Sequence, residues 1–97
     1  MTWASGRPEA TITHPTGLHA RPAVKFTKLA KSFPADIRLR RAPDGDWVDA
    51  KSIVKVMGLK FRTGTTIELE AAGEAAEAAL AELTALVERD FDEGAHG

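Results

Sequence analysis

Gly17-Leu18-His19-Ala20-Arg21-Pro22 divides the chain into two periodicities. Ahead of it, Glu9-Ala10-Thr11-Ile12-Thr13 alternates and carries β-branched residues, which predicts a first strand. Behind it, Ala23, Phe26, Ala30 and Phe33 recur at three- and four-residue steps with Leu29 beside them, which predicts a helix over 20–32. Lys25, Lys28 and Lys31 fall on its other faces. Pro22 suits the first turn, where amide hydrogens have no helical partner and its missing N–H loses nothing. Gly17 lets the preceding loop turn where a Cβ would obstruct it, and Pro15 holds His14 extended. Pro34 cannot continue the helix, so Phe33-Pro34 ends it.

Outward from this junction the same two signals repeat. Asp36 to Arg41 alternates strictly, with Ile37 and Leu39 on one side and Asp36, Arg38 and Arg40 on the other. Ala42-Pro43-Asp44-Gly45 is a turn by composition, and Asp46-Trp47-Val48-Asp49 returns as a short strand, completing a hairpin. Ser52 precedes a short helix over Ile53 to Leu59 and suits its N-cap, accepting from the amide of Val54 or Lys55. After the turn Arg62-Thr63-Gly64-Thr65, residues Thr66 to Ala71 alternate, with Ile67, Leu69 and Ala71 inward and Thr66, Glu68 and Glu70 outward. Glu74 to about Phe91 is a long helix whose stripe is Ala76, Leu80, Leu83, Val87 and Phe91, with Leu86 adjacent.

The order is β-α-β-β-α-β-α. Helices must bury their stripes, so they should cover one face of an antiparallel sheet. The other face carries charged residues and should face water. The fold class is α+β, an open-faced sandwich.

Ninety-seven residues make one small domain, 1–97, with a core over about 8–91 and loose polar ends at 1–7 and 92–97. The 43% hydrophobic and 28% charged content is that of a soluble globular chain. No cysteine is present, which excludes disulfides, thiol catalysis and cysteine-bound zinc. A net charge of −1 argues against electrostatic binding to nucleic acid. No apolar run reaches the length of a membrane span, so membrane insertion is not expected and the cytoplasm is the default compartment. No metal-ligand cluster stands out, no cofactor is expected, and a monomer is the default.

His19 stands at the start of the first long helix, with Arg21 two residues on. That puts an imidazole at the positive end of a helix dipole, beside first-turn amide donors and a guanidinium. The arrangement suits an anion, and phosphate is the usual one. Because the group facing the anion is a nucleophile, the sharper reading is a histidine that carries a phosphoryl group covalently. Arg21 would neutralise charge on the phosphoryl oxygens in transfer, and the amides of Ala20 and Arg21 would add two donors. His14 and His96 have no comparable context.

Thr13-His14-Pro15-Thr16-Gly17-Leu18-His19-Ala20-Arg21-Pro22-Ala23 resembles the active loop of the HPr family, phosphocarriers of the bacterial phosphoenolpyruvate-dependent phosphotransferase system. Ala50-Lys51-Ser52-Ile53-Val54-Lys55-Val56-Met57 resembles that family's regulatory-serine segment, and the similarity covers roughly residues 8 to 90. The resemblance implies strand order 1-4-2-3 and an Nδ1 phosphohistidine at His19. It implies Enzyme I as donor and sugar-specific enzyme IIA domains as acceptors, with the chain a carrier rather than an enzyme. Thr16 departs from the asparagine frequent there, which reads as tuning, since its hydroxyl still hydrogen-bonds locally. Ser52 becomes a site for regulatory phosphorylation by an HPr kinase. Val54 and Met57, with Leu18 and Ala20 across the gap, become an exposed apolar landing patch, rimmed by Lys28, Lys31, Lys51 and Lys55, which would steer acidic partners.

Two other classes remain. A regulatory HPr-like protein would work through Ser52 and the adjacent surface, or in a nitrogen-related branch. The presence of His19 ranks it lower, and Pro22 after Arg21 favours the sugar branch. A histidine phosphatase needs an Arg-His-Gly signature, which Leu18-His19-Ala20-Arg21 does not supply.

Overall fold

The computed structural model describes residues 9–12, 20–42, 44–59, 62–89 and 91. Along the chain these form β1 (Glu9–Thr11), α1 (Ala20–Lys31), β2 (Asp36–Arg41), β3 (Val48–Asp49), α2 (Ile53–Gly58), β4 (Thr66–Ala72) and α3 (Ala76–Glu88). The four strands make one antiparallel sheet in the order β1-β4-β2-β3. The expected leader at 1–7, the loop at 14–17 and the tail at 92–97 lie outside the described residues.

The strand alternation sets the two faces. Ala10 and Ile12, Ile37 and Leu39, and Ile67, Leu69 and Ala71 are all buried. Against them lie Ala23, Phe26 and Ala30 of α1, Val56 of α2, and Ala79, Leu80, Leu83, Leu86 and Val87 of α3. Fully burying a side chain the size of Phe26 or Leu83 stabilises the fold by about 1.5–3 kcal/mol. The short β1 is prolonged by two further backbone bonds, Ile12 N–H to Thr65 O at 2.8 Å and Gly64 N–H to Ile12 O at 2.7 Å.

α1 ends one residue earlier than its pattern predicts. The Ser32 amide and hydroxyl both donate to the Leu29 carbonyl, the hydroxyl at 2.6 Å, and Phe33 N–H reaches Ala30 O. These bonds tighten the last turn before Pro34. The β2–β3 hairpin closes through Gly45 N–H to Arg41 O at 2.8 Å. A Cβ at Gly45 would sit 2.8 Å from that same carbonyl oxygen, so the close approach requires glycine.

The expected strand 46–49 contracts to Val48–Asp49, with the Trp47 indole over Arg38 and Arg40, each guanidinium carbon 4.5 Å from the ring centroid. α3 begins at Ala76 rather than Glu74, because the β4–α3 turn runs through positive φ at Gly73 (103°) and at Ala75 (64°). It ends at Glu88, before Phe91, whose own φ of 57° accompanies a fully buried ring.

The second sheet face differs from its expectation of open solvation. Glu68 and Glu70 are buried, at 8% and 7% exposure. In the register Arg38 stands opposite Glu70 and Arg40 opposite Glu68. Arg38 Nε donates to Glu70 Oε1 and Arg40 Nε to Glu68 Oε1, each at 2.8 Å. The arginine stems lie across the sheet and carry their charged heads onto the carboxylates. Charge patterning places these residues outside the core, and their own ion pairs then exclude the water.

Candidate functional site

α1 opens at Ala20, so its positive end follows directly on His19 in the chain. His19 itself lies outside the described residues, as do Thr16, Leu18, His14 and His96. Of the residues expected to bind an anion, Arg21 is described as exposed on the first turn of α1, beside a buried Pro22. The backbones of Ala20 and Arg21 are helical, and first-turn amides have no acceptor within their own helix. No acidic residue stands in this first turn, while Lys28 and Lys31 stand in the last. The dipole at the N-terminal end is therefore not offset from within the turn.

α2 packs against α1. Ser52 is its N-cap, in extended conformation (φ −100°, ψ 109°), and its Oγ accepts from Lys55 N–H at 3.3 Å. The Ser52 carbonyl takes Val56 N–H at 2.9 Å. Val56 is buried, and Ile53 and Leu59 pack partly against the core. Val54 and Met57 point away, at 78% and 39% exposure. Lys28, Lys31 and Lys55 are exposed.

Lys51 departs from its expected place on the rim of this patch. It is half-buried, and its Nζ donates to the Phe33 carbonyl at 2.8 Å, pinning the segment before α2 to the end of α1. Val24 of α1, which the sequence reading passed over, is 47% exposed. Its signal was available: Val24 is a β-branched apolar residue out of phase with the Ala23-Phe26-Ala30 stripe. Lys25, off the apolar stripe as its spacing predicts, is half-buried, and its Nζ donates to the Phe91 carbonyl at 3.1 Å.

A cavity of about 340 Å³ lies elsewhere, between β2 and β3, lined by Asp36, Arg38, Trp47, Asp49 and Lys51 among others. None of the expected anion-binding residues lines it. Helix start, basic side chains and exposed apolar residues suit a surface that meets another macromolecule rather than a pocket enclosing a small substrate. Among the described residues no helix is long and apolar enough to cross a membrane.

Known proteins share this sequence pattern and fold. Residues 7–89 match the family model described as the PTS HPr component phosphorylation site. The chain is 43% identical over 86 residues to phosphocarrier protein HPr of Pseudomonas aeruginosa, covering 89% of this chain and 94% of the relative. It is 40% identical over 82 residues to phosphocarrier protein NPr of Escherichia coli K12, covering 84% and 90%. The crystal structure of HPr-C-His from Thermoanaerobacter tengcongensis superposes with a TM-score of 0.82 at 35% identity, over 97% of this chain and 99% of that one. Matching nearly end to end in sequence and in fold, the chain belongs to the HPr family of phosphocarriers.

Proposed function

We propose that this HPr-family phosphocarrier accepts a phosphoryl group on His19 from phosphorylated Enzyme I and passes it to enzyme IIA domains of the sugar phosphotransferase system. The observation that carries this reading is the start of α1 at Ala20, with Arg21 exposed on its first turn, immediately after a histidine. A neutral His19 ring nitrogen, Nδ1 by the family resemblance, attacks the phosphorus of the donor phosphohistidine. The donor N–P bond breaks as the new one forms, and its electron pair returns to the donor imidazole. The Arg21 guanidinium and the first-turn amides offset charge on the phosphoryl oxygens. Neighbouring positive charge favours the neutral ring before transfer and the phosphorylated ring after it. Because the group must travel onward, moderate holding suits the task better than a multidentate clamp.

Val54 and Met57, with Leu18 and Ala20, form the docking surface for Enzyme I and the IIA domains in this reading, with Lys28, Lys31 and Lys55 steering them. Ser52 is a site for phosphorylation by an HPr kinase. The protein works as a monomer in the cytoplasm.

Intact-mass measurement after incubation with Enzyme I and phosphoenolpyruvate tests the reading. One acid-labile phosphate adduct is expected, absent in His19→Ala; an adduct that persists in His19→Ala refutes it. The similar identities to HPr and NPr favour a second reading, the nitrogen-related branch. Offering the phosphorylated protein to a sugar-specific and a nitrogen-related IIA domain separates the two. Faster discharge to the sugar-specific acceptor supports the first.

A further inference from the structure

The β2–β3 hairpin carries a charged surface of opposite sign to α1, whose ionisable side chains are all cationic. The cavity of about 340 Å³ there is walled by Asp36, Arg38, Trp47, Asp49 and Lys51. The register sets Asp49 opposite Arg38, and Asp36 lies two residues before Arg38, on the same face of β2. Both cations of the wall are committed elsewhere. Arg38 Nε donates to Glu70 Oε1 and Lys51 Nζ to the Phe33 carbonyl, each at 2.8 Å. Asp36 and Asp49 are exposed. Asp49 Oδ1 accepts the Lys51 amide at 2.9 Å, yet neither carboxylate forms an ion pair among the described residues. Asp44 and Asp46, exposed on the same hairpin, add the same sign. Arg40 is engaged by Glu68, which leaves Arg41 against them.

We propose that this cavity receives an arginine side chain from a basic segment of a partner protein, through residues other than Val54 and Met57 of the α2 patch. The inference stands without the phosphocarrier reading. Two carboxylates beside an indole suit an organic cation better than a bare metal ion, which takes oxygen ligands on several sides. A guanidinium fork bonds a carboxylate bidentately, while the apolar stem of the same residue lies along an aromatic wall. That wall is already fixed, since the guanidinium carbons of Arg38 and Arg40 each sit 4.5 Å from the Trp47 ring centroid. Little ordering is left for the binding step. The cavity is open to solvent and at the small end of ligand pockets, so it suits a side chain delivered by a larger partner. Attraction between exposed charges fades as the Debye length shrinks from about 10 Å at 0.1 M to about 3 Å at 1 M salt.

The test titrates the full chain at low salt with the blocked peptide acetyl-Gly-Arg-Gly-Arg-Gly-amide, followed at the Trp47 indole N–H and the backbone amides by NMR. Saturable shifts at Trp47 and at residues 36–38 and 48–51 support the site. The same peptide with glutamate in place of arginine should leave them unmoved. Asp36→Asn/Asp49→Asn should raise the half-saturating concentration about fivefold, the loss of two exposed ion pairs. Should the double variant melt early, Asp36→Asn alone decides, because this carboxylate holds no ion pair within the described fold. A raised half-saturation then supports the site, and an unchanged one overturns it. No shift at Trp47, or an equal response to the glutamate peptide, also overturns it. Acetyl-arginine amide saturating at the same concentration as the peptide would make this a site for a small free cation and overturn the partner segment. Shifts at Trp47 and α1 that grow with protein concentration alone would seat a second copy there, with the same consequence.

Discussion

Arg38 and Glu70 face each other across β2 and β4, and the guanidinium Nε donates to Glu70 Oε1 at 2.8 Å over a carboxylate that is almost wholly buried. Exposed cross-strand pairs contribute about 0.2–1 kcal/mol. Here one partner is desolvated, so its loss of the other costs more. Arg38→Met should destabilise the fold by about 1.5–3 kcal/mol, because a charged group is left buried without this donor. The double variant with Glu70→Gln should recover part of that loss, with a coupling above about 1 kcal/mol in a denaturant-unfolding cycle. Strict additivity of the two changes would show the pair to be solvated in practice.

Ala75 is a non-glycine residue in left-handed conformation at the N-cap of α3, with no side-chain cap bond. That conformation costs an L-residue with a Cβ about 1–2 kcal/mol relative to glycine. Ala75→Gly should therefore raise stability by about 1 kcal/mol and lift Tm by several degrees for a domain this size. A lower Tm would mean that the turn does not hold this conformation in solution.

The strands β2 and β4 were legible because alternation over six or seven residues has one physical meaning, a surface with two unlike faces. The long helices were legible from their stripes, down to Phe26, Leu80 and Leu83 in the core. Their ends were not, for a reason visible at Ala75 and Phe91: both adopt positive φ, which alanine and phenylalanine do not advertise. The carbonyl partners of Lys25 and Lys51 were not legible, because a sequence shows an ammonium group and not the carbonyl it meets. On the sheet, the pattern separated Arg38 and Glu70 from the core but not from water, since their burial depends on each other and on Trp47. Of the expected anion site, Pro22 and the stripe behind it made the helix start readable. Val24 lies off that stripe, and periodicity assigns no role to an off-stripe valine.

Arg21→Ala should slow phosphoryl acceptance by on the order of 10²-fold, the usual loss when one donor to a developing oxyanion is removed. The side chain is exposed, and such substitutions change stability by within about 0.5 kcal/mol. Stopped initial-rate assays with Enzyme I, paired with thermal melts, separate the two effects. A steep fall in Tm with normal transfer per folded molecule would make Arg21 structural.

Ser52 caps α2 beside the proposed docking surface, and the two roles respond differently to charge. Its Oγ bond to Lys55 N–H is long at 3.3 Å, so Ser52→Ala should cost at the low end of the usual range, about 0.5 kcal/mol. An aspartate also caps, and its charge suits the helix start by about 0.3–1 kcal/mol. Ser52→Asp should therefore melt close to wild type. The same charge stands two residues before Val54, the most exposed large hydrophobic residue described, where a partner's apolar surface would have to be buried beside it. In the docking reading, that burial strips water from a carboxylate with no partner, which opposes association. Phosphoryl acceptance from Enzyme I by Ser52→Asp should be slowed at limiting donor, through a raised KM for the carrier, while Ser52→Ala stays near wild type. Titrating both variants and the wild type against one Enzyme I preparation measures this. Equal KM values for Ser52→Asp and wild type would remove α2 from the docking surface and leave Ser52 as the cap of a short helix.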